Sequence, residues 1–91
     1  MLSVAKTDRF VLDLEDIVLH IAQDNIDAAL ALEERIHQQV DNLADPNFPR
    51  RIGRVHGTLE LVAHPNYVVV LMQTAETVTA LSVMHVARKY P

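Results

Sequence analysis

The sequence predicts an α+β domain: a short N-terminal strand, then an antiparallel α-hairpin packed on an antiparallel β-sheet, in the order β-α-α-β-β-β. Three observations carry this. In the first half, apolar residues recur at spacings of three and four, as in helices with one buried stripe. Asn66-Tyr-Val-Val-Val-Leu-Met72 is the most continuously apolar run of the chain, and its β-branched core, Val68 to Val70, is stiff at χ1 and favours a pleated strand. Two further apolar runs, Thr58 to Ala63 and Val78 to Val86, flank it across short polar breaks and complete an antiparallel meander.

Taken in order, Leu2 to Lys6 alternates loosely and makes the first strand. Thr7 or Asp8 can cap a helix by offering a side-chain oxygen to the orphan amides of the first turn. Val11, Leu14, Ile17/Val18 and Ile21/Ala22 then form one stripe. Asp24-Asn25-Ile26-Asp27 interrupts it. Asn25 is a cap for the second helix, with Asp27 placed at the positive end of its dipole. Ala29, Leu32, Ile36, Val40 and Leu43 continue the pattern, and Ile26 and Leu30 widen it. A connection of about three residues makes the helices an antiparallel hairpin, whose shared apolar surface must lie on the sheet. Pro46-Asn-Phe-Pro49 stops the second helix. Arg50 to Gly57 reads as a basic loop, and His64-Pro65-Asn66 as the turn between the first two meander strands. The central run is apolar on both alternating faces, which places it in the sheet interior.

Composition narrows the function classes. Ninety-one residues make one domain, 1–91, with a single core. Apolar residues are 49% and aromatics only 4%, so aliphatic side chains build that core. There is no cysteine, which excludes disulfides and thiolate metal sites. No apolar run reaches the length of about 20 residues that spans a membrane. The N-terminus lacks the charged flank and long apolar core of a signal peptide, so a cytoplasmic location without membrane partners is expected. The net charge of −4 hides an asymmetry. Residues 1–45 carry three basic and ten acidic residues, net −7, whereas residues 46–91 carry five basic and two acidic, net +3. Such a division points to a face that attracts an anionic partner; the alternative is a solvated acidic helix surface with scattered arginines.

No specific enzyme motif is present: no phosphate loop with its lysine, no HExxH, no nucleophile elbow around Ser3 or Ser82. No cofactor and no metal is expected. His56 and His64 bracket a strand and stand roughly 26 Å apart at about 3.3 Å per residue, too far to share a metal. His20 and Asp24 lie one helical turn apart, as a surface hydrogen bond or the start of a site. His85 is either a satisfied sheet histidine or a proton donor and phosphate contact. The basic set is Arg50, Arg51 and Arg54 before the meander with Arg88 and Lys89 after it. Converging at one end of the sheet with His85, they suit an RNA or DNA backbone or an acidic protein. Aromatic residues to stack bases are not interleaved with them.

The order of elements, together with several local motifs, is similar to the RelE/ParE superfamily of bacterial toxins from type II toxin–antitoxin modules. The resemblance covers essentially the whole chain. It rests on Asp13-Leu14-Glu15-Asp16-Ile17 with His20-Ile21-Ala22; Asp24-Asn25-Ile26-Asp27-Ala28-Ala29; Gly53-Arg54-Val55 with Gly57-Thr58; Leu61-Val62-Ala63-His64-Pro65-Asn66-Tyr67; and Val83-Met84-His85-Val86-Ala87-Arg88 before Tyr90-Pro91. His64-Pro65-Asn66-Tyr67 looks most like the ParE branch. The resemblance implies a toxin that arrests growth, is neutralised by a cognate antitoxin in a hetero-oligomer, and, as in plasmid stabilisation modules, acts on DNA gyrase. The RelE-type alternative is a ribosome-dependent endoribonuclease that cuts mRNA. There Arg54, His85, Arg88 and Tyr90 would hold the phosphate, and Glu60 or His85 would move protons. Under the gyrase reading Arg50, Arg51, Arg54, His85, Arg88 and Lys89 form the contact surface. The chain departs from the family pattern at Leu59, where arginine is common, and at Leu71 and Met72, where tyrosine and arginine are common. Loss of cationic groups argues against phosphate chemistry, which needs them for the developing charge; the third expectation is a toxin fold with weak or lost toxicity.

Overall fold

The structure is a computed structural model and describes residues 1–87. The chain forms β1 (Ser3–Lys6), α1 (Asp8–Ala22), α2 (Ile26–Asp41), a 3-10 turn over Asn42–Ala44, β2 (Arg51–Ile52), β3 (Leu59–His64), β4 (Tyr67–Gln73) and β5 (Thr77–His85). The expected α+β order is present, with one strand more. Arg51–Ile52, expected in a loop, is a short edge strand paired with Leu59 and Glu60.

The strand order is β1-β5-β4-β3-β2. The meander is antiparallel as expected, but the sheet as a whole is mixed, because β1 runs parallel to β5, from Ser3↔Thr77 to Lys6↔Ala80. The cause is directional. Two antiparallel helices return the chain to the end of the sheet where β1 finished, so β2 runs against β1. Three reversals later β5 runs with it. β4 is central, and Val68, Val69, Val70 and Leu71 are all buried, as its two-faced apolarity requires.

Thr7 caps α1: its Oγ1 accepts from the Phe10 amide at 3.0 Å. Asn25 caps α2, with Oδ1 accepting from the Ala28 amide at 3.0 Å. The stripe of α1 begins at Phe10, fully buried, and not at Val11, which is 39% exposed. Ile26 and Leu30, expected to widen the stripe of α2, are exposed, while Ala29, Leu32, Ile36 and Val40 face the sheet. Phe10, Leu14, Leu32, Ile36 and Val40 meet Leu61, Ala63, Val69, Leu71, Val78, Ala80 and Val83 in one core.

A bulge in β5 sets the geometry beside α1. Val70 faces Ser82 and Leu71 faces Ala80, so Leu81 has no partner across β4. β1 reaches only as far as Ala80, and the side chains of Thr7, the cap of α1, and of Asp13 within it take over from there. The Thr7 hydroxyl donates to the Leu81 carbonyl at 2.9 Å, and Asp13 Oδ2 accepts from the Val83 amide at 3.1 Å. One helix thus satisfies the part of the strand edge that β1 leaves bare.

Candidate target-binding site

Strand alternation puts Glu60 on the sheet face away from the helices, and it is only 2% exposed. A buried carboxylate needs donors, and they come from the basic segment. Glu60 Oε1 accepts from Arg51 Nε at 3.1 Å and Nη2 at 3.0 Å; Oε2 accepts from the Arg54 amide at 3.0 Å, with Arg54 Nε at 3.9 Å. One side chain therefore ties both β2 and the following loop to β3. The loop closes on itself through Gly53 N to Thr58 O at 2.9 Å and Thr58 N to Val55 O at 3.1 Å. Gly53 is required there, since a Cβ would lie 2.3 Å from Thr58 Oγ1, and Gly57 turns the chain at φ +84°.

Arg54, Glu60 and His85 come together. With Val68, Val70 and Met84 they line a crevice too tight to admit water. Arg51 stands beside them, half exposed. Arg50 is directed elsewhere. Its guanidinium donates to the carbonyls of Phe48 at 3.0 Å, Asp45 at 2.6 Å and Leu43 at 3.3 Å, and to Gln73 Oε1 at 2.9 Å. It clamps the Pro46–Pro49 connection to the sheet. Arg88, Lys89 and Tyr90 lie outside the described residues.

The departures from the family pattern acquire a physical reason. Leu59 and Leu71 are paired across strands and face the helices: Leu71 is 0% exposed in the core and Leu59 packs against it. A polar group at position 71 would be buried among aliphatic side chains. Met72 alone of the three is substantially exposed, at 49%.

His64, Tyr67 and His85 form a row at one end of the sheet, with ring centroids 5.6 Å and 5.2 Å apart. His64 is pushed below the usual histidine value, first by desolvation and then by the Arg35 cation. His85 Nδ1 accepts from the Ala87 amide at 3.0 Å, which leaves Nε2 to carry the proton of the neutral ring. His85 also borders a second feature, an open groove of about 620 Å³ between α1 and the end of the sheet, lined by Asp13, Asp16, Ile17, His20, Tyr67, Val83, His85 and Ala87. The sequence reading missed this groove. It paired His20 with Asp24, whereas Asp16, four residues earlier on the same helix face, is the carboxylate that shares the groove with His20. Among the described residues no group of three or more histidine, aspartate or glutamate side chains could hold a metal, and no helix is long and apolar enough to cross a membrane.

An α-hairpin on one face of a five-stranded mixed sheet, with a cationic loop pinned to the other face, is the RelE/ParE architecture. The chain belongs to the ParE toxin family: the family model described as ParE toxin of type II toxin-antitoxin system, parDE, matches residues 4–90. A protein of Sinorhizobium fredii (strain NBRC 101917 / NGR234) named as a toxin candidate, Y4kP, is 33% identical over 78 residues, which are 86% of this chain and 81% of that protein. Among solved structures, a chain from the chromosomal ParDE system of P. aeruginosa superposes with a TM-score of 0.81 at 22% identity, over 94% of this chain and 97% of the other. A chain of the E. coli DinJ–YafQ complex gives a TM-score of 0.61 at 8% identity, over 96% of each chain. At these identities the structural likenesses speak for the fold.

Proposed function

We propose that this chain is the toxin of a type II module that arrests growth by binding DNA gyrase and is held inactive by a cognate antitoxin. The observation that carries the binding reading over a nucleolytic one is the state of Glu60. That side chain is buried and accepts three hydrogen bonds from Arg51 and Arg54, so its carboxylate is committed to the chain's own loop and turned away from a ribose hydroxyl. Leu71, buried, and Leu59, partly buried beside it, point the same way, since neither position offers a cation to a phosphate. What the crevice does offer is a rigid recognition surface, with guanidinium groups fixed at a sheet edge by an internal counter-charge. The match to the ParE family model supports the toxin reading, with gyrase as the target that the ParE resemblance implies, and the likeness to chains of the ParDE and DinJ–YafQ systems supports an antitoxin.

The test is induced expression of this chain alone in a bacterium, with growth and the DNA-damage response scored together, followed by gyrase supercoiling with purified protein. Arrest with that response and loss of supercoiling are expected. Supercoiling untouched at high excess overturns the gyrase reading. A ribosome-dependent mRNA nuclease is the second reading, favoured by the shared crevice of Arg54 and His85. It requires arrest without DNA damage, and mRNA cleavage in a translating extract.

A further inference from the structure

We propose that the groove between α1 and the end of the sheet receives a lysine or arginine side chain from an apolar-flanked segment of a partner protein. Two walls of different chemistry define it. Asp13, Asp16, Ile17 and His20 project from one face of α1, at the i, i+3, i+4 and i+7 positions. Tyr67 and His85, edge to face with each other, stand opposite, and Val83 and Ala87 add apolar surface. A carboxylate wall facing an aromatic wall is a receptor for an organic cation, which gains an ion pair on one side and a cation–π contact on the other.

The charges already in place leave the groove negative. Asp13 is engaged by the Val83 amide and stands 4.0 Å from Arg9, which is itself mostly exposed. Among the described residues no lysine or arginine lines the groove, and α1 itself carries four acidic residues against one arginine. The Asp13 and Asp16 carboxylates make the α1 wall favour a cation over a polyanion, in contrast to the Arg51–Arg54 surface. A bare metal ion is not the occupant, because the ligand set does not assemble. Addition of a partner strand to β5 is also not the mode, since Thr7 and Asp13 already occupy the Leu81 and Val83 edge groups. The size of the groove, about 620 Å³, exceeds one side chain, and Ile17, Val83 and Ala87 call for an apolar neighbour beside the cation. The occupant is thus a protein segment and not a free amine. Identifying that partner as the antitoxin rests on the toxin reading; the cation specificity of the groove does not.

The test uses 15N-labelled full-length chain made by cell-free synthesis and titrated with the peptide acetyl-Ala-Leu-Arg-Ala-Leu-amide. Saturable amide shifts centred on Ile17, Val83 and His85 are expected, with no such shifts from the same peptide carrying glutamate in place of arginine. Asp16→Asn should weaken the peptide by about fivefold or more, the loss of one ion pair in a partly enclosed site, while Asp27→Asn, the same charge change elsewhere on the helical surface, should leave it unaltered. Raising ionic strength from about 0.1 M to about 1 M should weaken binding as well. Shifts centred elsewhere, equal response to the glutamate peptide, indifference to Asp16→Asn, or equal binding of free arginine each overturn the proposal. Because the readout is direct binding, the groove can fail while growth arrest succeeds, and the reverse.

Discussion

Glu60→Gln should be among the most damaging isosteric changes in this chain. The substitution keeps the volume and removes the charge. An interaction with a charged partner contributes about 1.5–3 kcal/mol, and the half-exposed Arg51 can turn to water, which reduces its share to about 1–2 kcal/mol. The second loss is geometric. The glutamine oxygen can face either Arg51 or the Arg54 amide, and its NH2 then meets the other, donor against donor. A buried donor left unpaired costs about 1–3 kcal/mol. Together the losses come to about 2–5 kcal/mol out of the roughly 5–15 kcal/mol that holds a native protein. In a domain of this size each kcal/mol moves Tm by about 4–8 °C, so thermal unfolding followed by circular dichroism should drop by about 10 °C or more. Arg51→Ala supplies the control. In the parent it strands a buried carboxylate and should cost about 2 kcal/mol, above the 0–1 kcal/mol typical of a surface pair; after Glu60→Gln it should cost under about 1 kcal/mol. A Glu60→Gln melt within a few degrees of the parent, or strictly additive effects with Arg51→Ala, would refute the account of the loop as fastened by one carboxylate.

Placing an arginine at two adjacent positions, of which only the second carries one in the family pattern, should have opposite outcomes. Leu71→Arg buries an unpaired charge and should abolish cooperative unfolding at 37 °C, whereas Met72→Arg should stay within about 0.5 kcal/mol in a urea titration. Thr7→Ala loses a helix cap and the donor to the Leu81 carbonyl, for about 2 kcal/mol in all, and Thr7→Ser should recover most of it in the same titration. His64 is lowered in the folded chain, so below the usual histidine range the unfolded chain binds the extra proton first. Stability should fall as pH drops through that range and level off once the folded imidazole is protonated, and His64→Gln should flatten that segment of a stability–pH profile.

Much of the fold was legible because the signals are local. Thr7 and Asn25 cap as their side chains dictate, and the three-and-four spacing from Leu14 through Val40 marks the buried stripes. The start of the first stripe was misplaced because Phe10 and Val11 both fit it, and only packing against the sheet and His37 decides between them. The parallel β1–β5 pairing was recoverable in principle by counting reversals of direction. The candidate site was legible only as a set of residue types. Nothing near Arg50 in the sequence announces that three backbone carbonyls will converge on it, and the burial of Glu60 depends on which strand face the loop folds over. The apparent loss of polar groups at Leu59 and Leu71 looked functional because a sequence does not say which face of a strand meets helices.

The pairing of β1 with β5 has a temporal meaning. Ser3 finds its partner Thr77 only after nearly the whole chain has been made. Until then the helices have an incomplete surface to lie on, Thr7 has no Leu81 carbonyl to engage, and the edge of β4 is bare. Contacts this distant in sequence close last and slow the search. A chain cut short before Val78 therefore lacks both the strand that closes the sheet and one wall of each candidate site. Activity that depends on those surfaces arises only from the finished polypeptide. A fragment that ends before that point carries bare strand edges and neither recognition surface, so proteolysis and not binding is its expected fate.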